Sequence, residues 1–218
     1  MPDSRPEATP LRVRPYNIRV RHSALVRVTH WLTAASFAAL AVSGIAILLA
    51  HPRLYWGETG ALGTPSLVDL PLPMLLTGQS GWGRYLHFLS AWICVLAGLA
   101  YVLGGLATRH FRNDWFRPAE PPKYTLPQRV TYTTVVFVLF PLMIWTGFAM
   151  SPAITSVFPG FVTVLGGQQS ARTIHFIVAS LLVLFVIGHV VMVALAGFSR
   201  QVTSMILGGE SLARESRT

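Results

Sequence analysis

The chain contains four apolar runs of membrane-spanning length, at about residues 28–50, 86–107, 130–150 and 174–196. Crossing the hydrocarbon core of a bilayer takes about 20 apolar residues in a helix. Only 11% of the residues are charged, whereas soluble domains carry about 25%. A buried soluble core is excluded because four such helices would have no amphipathic partners to cover them. We predict an all-α integral membrane protein built as a four-helix transmembrane bundle.

The distribution of positive charge predicts how this bundle is oriented. Of the 17 Lys and Arg residues, all but Arg53, Arg84 and Arg172 lie before run one, between runs two and three, or after run four. Positive residues accumulate on the cytoplasmic side of membrane proteins, so both termini are predicted to be cytoplasmic. The net charge of +9 therefore indicates topology and contact with lipid headgroups rather than nucleic acid. The predicted organisation is a flexible cytoplasmic arm (1–20), a membrane domain (21–208) and a cytoplasmic tail (209–218).

Two histidines in run four, His175 and His189, are fourteen residues apart. On a helix this spacing corresponds to about 21 Å along the axis and returns to within about 40° of the same face. Ionisable residues inside a membrane span indicate function. The predicted topology places His30 and His189 near the cytoplasmic side, and His87 and His175 near the outer side. Each pair is predicted to ligate one haem iron axially through neutral imidazoles, which gives two haems.

Two alternatives to this prediction, and the type of haem, also follow from the sequence. His51 in place of His87 is an alternative, but a helical spacing of about 31 Å from His30 does not match run four, and Pro52 predicts that the helix ends there. Cys94 is the only cysteine and the chain lacks a Cys-x-x-Cys-His motif, so any haem is predicted to be b-type and not covalently attached. A non-haem transporter whose buried histidines relay protons remains a further alternative.

Three of the four ligand histidines are preceded at three residues' distance by an arginine, namely Arg27, Arg84 and Arg172. Residues at this spacing share a helix face, so each guanidinium is a candidate partner for a haem propionate. Snorkelling topology charge is the alternative, and Arg19 with His22 has the same spacing in the arginine-rich arm. His22 and His110 fall at the predicted cytoplasmic surface. They are either solvated polar residues or part of a quinone site, where a histidine suits proton transfer.

The chain resembles the bacterial cytochrome b561 family, also called the nickel–iron hydrogenase b-type cytochrome subunit family, over about residues 20–208. The matching motifs are Arg-Val-Thr-His-Trp at 27–31, Gly-Trp-Gly-Arg-Tyr-Leu-His at 81–87, and Arg-Thr-Ile-His at 172–175 with His189. Segments 54–57, 69–73 and 169–175 are similar to a thiosulfate-reductase-type cytochrome b subgroup. The resemblance implies four helices that hold two haems b with the histidine pairing given above.

The resemblance also implies function and partners. Members of the subgroup exchange electrons between the quinone pool, ubiquinone or menaquinone, and a periplasmic molybdopterin-type oxidoreductase, in the bacterial inner membrane. The long outer segment 51–85 is interpreted as a cap at the membrane interface, as a docking surface for such a partner, or as both. A homodimer is also open. A superoxide:quinone oxidoreductase, like one small member of the family, is the enzymatic alternative, for which Arg53, Arg84 and Arg172 are the available outer cations. The sequence does not decide between an electron-transfer subunit and an enzyme.

Overall fold

The structure is a computed structural model that describes residues 19–20, 22–60, 63–72, 79–112 and 125–210. In chain order, the elements are β1 (Arg19–Val20), α1 (Ala24–Ala50), β2 (Arg53–Leu54), β3 (Val68–Asp69), α2 (Gln79–Ala107), α3 (Leu126–Thr134), a π-helical segment (Val135–Leu139), α4 (Phe140–Ala149), α5 (Pro152–Thr155), α6 (Gly160–Thr163), α7 (Gln168–Leu195), α8 (Phe198–Leu207) and β4 (Gly209–Glu210). In the described part of the chain, four helical spans are long and apolar enough to cross a membrane, the third running from α3 to α4. The predicted four-helix fold is confirmed.

The spans begin about one to two turns before the apolar runs. The apolar runs mark only the lipid-embedded part, whereas each helix continues into polar residues at its start. Ser23 caps α1, because its Oγ accepts a hydrogen bond from the Val26 amide at 3.3 Å. Thr125 and Gln128 form a capping box at the start of α3. At the other end of α1, the helix stops at Ala50, two residues before Pro52.

The third span is interrupted by its π-helical segment, which lies directly before Phe140 and Pro141. Proline has no amide hydrogen, so the carbonyl one turn earlier loses its helical donor. A π-type turn accommodates such a defect, and here the Phe140 amide donates to the Val135 carbonyl five residues before it. The irregularity before Pro141 is therefore a local change in hydrogen-bond register.

The helices associate as two pairs. α1 packs along α2, and α4 packs along α7. Gly83 of α2 lies so close to α1 that a Cβ there would be 3.2 Å from the Ala46 Cβ, which is the small-residue packing typical of membrane helices. In the second pair, Val135 packs with Val178 and Leu182 of α7 as a buried apolar cluster. Functional side chains that join the two pairs must therefore reach across the space between them.

A strap formed by residues 51–58 closes one end of the bundle over the start of α7. Its β2 strand pairs with β3 in an antiparallel hairpin. The Gly57 carbonyl accepts from the Gln169 amide at 3.0 Å, and the Gly57 amide donates to Ser170 Oγ at 2.8 Å. Thr173 Oγ1 donates to the Tyr55 carbonyl at 2.6 Å. The bond from Gln169 satisfies one of the amides that the first turn of a helix leaves without a partner.

Gly167 is the residue on which this junction depends. Its φ is +112°, and a Cβ would lie 2.5 Å from the carbonyl carbon and oxygen of Gly57. We expect Gly167→Ala to lower the free energy of unfolding by about 1–3 kcal/mol from backbone strain, and further through the clash. Thermal unfolding in detergent measures the effect, with Gly160→Ala as the control because a Cβ at Gly160 meets nothing within 4 Å. Equal unfolding midpoints for the two variants would contradict this role of Gly167.

At the opposite end, α8 folds back against the start of α1. Gly197, in a left-handed conformation, turns the chain between α7 and α8. The Arg27 guanidinium donates to the Ile206 carbonyl at 2.7 Å, and the Trp31 indole donates to the Met205 carbonyl at 3.2 Å. β1 pairs with β4 next to this contact, so segments that precede α1 and follow α8 meet at one end of the bundle.

Candidate functional site

Two pairs of histidines join the helix pairs across the space between them. The imidazole centres of His30 on α1 and His189 on α7 are 6.3 Å apart, with a tilt of 54° between the rings. Those of His87 on α2 and His175 on α7 are 6.2 Å apart, with a tilt of 58°. The structure thus brings together the residues that the sequence matched by depth, and α7 contributes one histidine to each pair.

The separation within each pair fits a metal ion bound between two imidazoles. Metal–nitrogen bonds of about 2 Å on opposite sides of one ion place the ring centres about 6 Å apart. Among the described residues, no group of three or more His, Cys, Asp or Glu side chains could hold a metal ion. Two opposed imidazoles without further protein ligands are the donor set that an iron porphyrin requires, because the macrocycle supplies the remaining ligands. The residues present therefore fit haem.

Two buried hydroxyl groups fix the His87–His175 pair. His87 Nδ1 lies 3.0 Å from Ser43 Oγ, and His175 Nδ1 lies 2.9 Å from Thr146 Oγ1. Each hydroxyl hydrogen is directed to the carbonyl four residues earlier, at 2.7 Å for Ser43 and 2.9 Å for Thr146. With its hydrogen on that carbonyl, each hydroxyl oxygen is available to accept from an Nδ1–H group, and in that tautomer Nε2 of both imidazoles is unprotonated. This is the tautomer that binds a metal through Nε2.

The residues after these hydroxyls leave room beside the same histidines. A Cβ on Gly44 would lie 3.7 Å from His87 Cε1, and a Cβ on Gly147 would lie 3.8 Å from His175 Cε1. Spans one and three thus share a short motif, Ser-Gly-x-Ala at 43–46 and Thr-Gly-x-Ala at 146–149. Ser43, Thr146 and Gly147 are missing from the site predicted above. Comparison of the two motifs was the signal in the sequence that could have found them.

The His30–His189 pair has aromatic neighbours instead. His30 contacts the Trp31 ring edge-on with centres 5.3 Å apart, and His189 stacks on Phe185 with centres 5.8 Å apart. Within the described part of the chain, Nδ1 of both histidines is buried and has no hydrogen-bond partner. The two pairs therefore have nearly the same distance between ring centres. They differ in the hydrogen-bond partners of their Nδ1 atoms.

The three predicted propionate-binding arginines lie at the two ends of the bundle. At the α8 end, Arg27 Nε is buried without a partner among the described residues, although its terminal nitrogen is bonded to Ile206. At the strap end, the Arg172 guanidinium donates to the His51 carbonyl. Burial, together with the positive charges of Arg172 and Arg84, lowers the pKa of His51 below its usual value. His51 thus lies beside the arginines of the strap, whereas His87 is the residue beside His175.

The two predicted quinone-site histidines also lie outside the apolar spans. His22 directly precedes the α1 cap. His110 follows α2 and lies in a group of aromatic residues, with its Nε2 3.4 Å from the Tyr101 hydroxyl and its ring centre 5.5 Å from that of Phe111. A groove of about 430 Å³ lies between α1 and α8. Its lining is Arg27, Val28, Trp31, Leu32, Met205 and Ile206.

Comparisons with known proteins identify the family of this chain. Residues 21–208 match the family model of prokaryotic cytochrome b561. The chain is 28% identical over 211 residues to the putative protein-methionine-sulfoxide reductase subunit YedZ1 of Azospira oryzae, covering 86% of this chain and 96% of that protein. No solved structure matches significantly. The predicted resemblance is confirmed, and the chain belongs to the prokaryotic cytochrome b561 family of integral membrane proteins, which implies haem b as its cofactor.

Proposed function

We propose that the protein is a two-haem membrane cytochrome that transfers electrons between the quinone pool and a periplasmic redox partner. The observation that carries the proposal is the presence of two opposed histidine pairs, each including one residue of α7. His30 and His189 would hold one haem, and His87 and His175 the other. Bound haem supplies a one-electron carrier at each end of this helix.

The remaining groups of the chain serve to hold and orient these cofactors. The ligand positions on α7 are about 21 Å apart along the axis, which is most of the roughly 30 Å hydrocarbon thickness. Arg84 and Arg172 at the strap end, and Arg27 with its unpartnered Nε at the other end, are placed to bind propionates. Guanidinium–carboxylate pairs give both charge neutralisation and bidentate geometry.

We place the quinone at the α8 end, which the positive-charge bias assigns to the cytoplasm. The groove between α1 and α8 is largely apolar, and its Val28 side chain is 58% exposed, so a lipid-soluble ubiquinone or menaquinone can enter from the bilayer. Trp31 lines the groove and contacts the ligand His30. His22 and His110 lie at the same predicted surface and would exchange the protons that accompany quinol oxidation.

The strap end would face the periplasm and dock the partner. It presents the hairpin of β2 and β3 and the positive charges of Arg84 and Arg172 beside His51. The relative from Azospira oryzae carries the name of a reductase subunit, which supports an oxidoreductase as partner. The family resemblance favours a molybdopterin-type enzyme. In this arrangement both termini lie in the cytoplasm and residues 21–208 form the inner-membrane domain.

A spectrum of the purified protein tests the proposal directly. We expect b-type bands in the dithionite-reduced minus oxidised spectrum and two haems per chain by haem and protein quantification. The physical reason is that each pair offers two Nε2 ligands without a competing protein donor. Absence of b-type bands would favour the proton-relay transporter, and one haem per chain would refute transfer between two haems.

A further inference from the structure

We propose that Ser43 and Thr146 lower the reduction potential of the haem held by His87 and His175. The inference rests on the proposed function, since it requires that this pair ligates haem. It concerns what the two hydroxyls do to the ligands, which neither the family nor the histidine pattern specifies.

The hydroxyls are built to accept hydrogen bonds. Ser43 and Thr146 are both 0% exposed, so water does not compete for them. Each donates its single hydrogen to a carbonyl of its own helix, and a hydroxyl that donates in this way becomes a better acceptor through cooperative polarisation. Each then has an accepting lone pair within hydrogen-bond distance of Nδ1 of a different ligand.

An acceptor at Nδ1 changes the electronic character of the ligand. Attracting the Nδ1 proton increases the electron density of the imidazole and raises its basicity as a metal ligand. A more basic axial ligand stabilises the ferric state relative to the ferrous state and so lowers the reduction potential. Because both ligands of one iron receive such a bond, the two effects act in the same direction.

The second pair supplies the internal comparison. Within the described residues, Nδ1 of His30 and of His189 is buried without an acceptor. Their rings contact Trp31 and Phe185 instead, which offer no strong acceptor atom. The polarisation is thus confined to one of the two proposed haem sites, where the Ser-Gly-x-Ala and Thr-Gly-x-Ala motifs occur.

Redox titration of the purified, haem-loaded protein tests the inference. We expect Ser43→Ala and Thr146→Ala each to raise one of the two midpoint potentials, the double variant to raise it further, and the other midpoint to stay unchanged. Thr146→Ser preserves the hydroxyl and should keep the wild-type potential.

Matched controls separate tuning from general effects of substitution. Ser36 is also buried on α1, and its hydroxyl donates to the Leu32 carbonyl at 2.6 Å, so Ser36→Ala should leave both midpoints unchanged. Should an alanine variant fail to assemble, Ser43→Cys or Thr146→Cys provides a weaker acceptor of similar size and should give a smaller rise. The haem that shifts is identified by its spectrum in His30→Ala, which retains only the His87–His175 site.

The outcomes distinguish this inference from the proposed function. Unchanged potentials in fully loaded alanine variants would refute the role of the hydroxyls while leaving the haem ligands in place. An equal shift of both haems, or the same shift in Ser36→Ala, would refute it as well. If His87→Ala retained both haems, that result would instead refute the ligand assignment and the proposed function.

Discussion

Replacing His175 by alanine is expected to reduce the haem content from two per chain to one. The truncated side chain would leave His87 as the single protein ligand of that haem. Because the b-type cofactor has no covalent link to the chain, ligand bonds and packing alone retain it. The haem held by His30 and His189 should remain, since those residues lie at the other end of the bundle. Haem and protein quantification with a reduced-minus-oxidised spectrum measures the result.

The complementary variant and a control give this experiment its specificity. His189→Ala should remove the haem held with His30. Its remaining spectrum should be that of the His87–His175 haem, which is the contribution that His175→Ala lacks. His51→Ala should retain both, because His51 caps α1 and lies with Arg172 and Arg84. If His51→Ala lost a haem and His87→Ala did not, the alternative ligand scheme would replace the one proposed.

Quinol-driven reduction of the strap-end haem is expected to fall to background in His30→Ala. In the proposed path the quinol donates electrons at the groove between α1 and α8, and the haem beside Trp31 receives them first. Without that haem, the electrons would have to cross about 21 Å to the next ligand position on α7. Stopped-flow mixing of the oxidised variant with a ubiquinol or menaquinol analogue in detergent measures the rate.

Two controls define what this result means. Dithionite should still reduce the remaining haem of His30→Ala, which shows that the cofactor itself is competent. His87→Ala should keep rapid reduction by quinol, because the haem that remains in this variant, held by His30 and His189, lies next to the groove. Rapid reduction of His30→Ala together with slow reduction of His87→Ala would place the quinone at the strap end and overturn the assignment of the groove.

Several features of the fold were accessible from the sequence because they depend on local properties. The four spans follow from the length of the apolar runs, and the end of α1 follows from Pro52. The helices begin before the apolar runs, because hydropathy detects only the lipid-embedded part; the start of α1, for example, is set by its cap at Ser23. The strap was accessible only as a long segment, since its bonds to Ser170 and Thr173 join residues more than 100 positions apart.

The sequence by itself determined that this chain has four membrane helices and a histidine at each end of α7, because hydropathy and the 3.6-residue repeat act within a single helix. Only the tertiary structure decided that Ser43 meets His87 and that Thr146 meets His175, across 44 and 29 positions. These contacts depend on how each helix is rotated about its axis. Lipid is as apolar as the helix surfaces, so hydropathy does not specify that rotation; close packing at small residues and interhelical hydrogen bonds do.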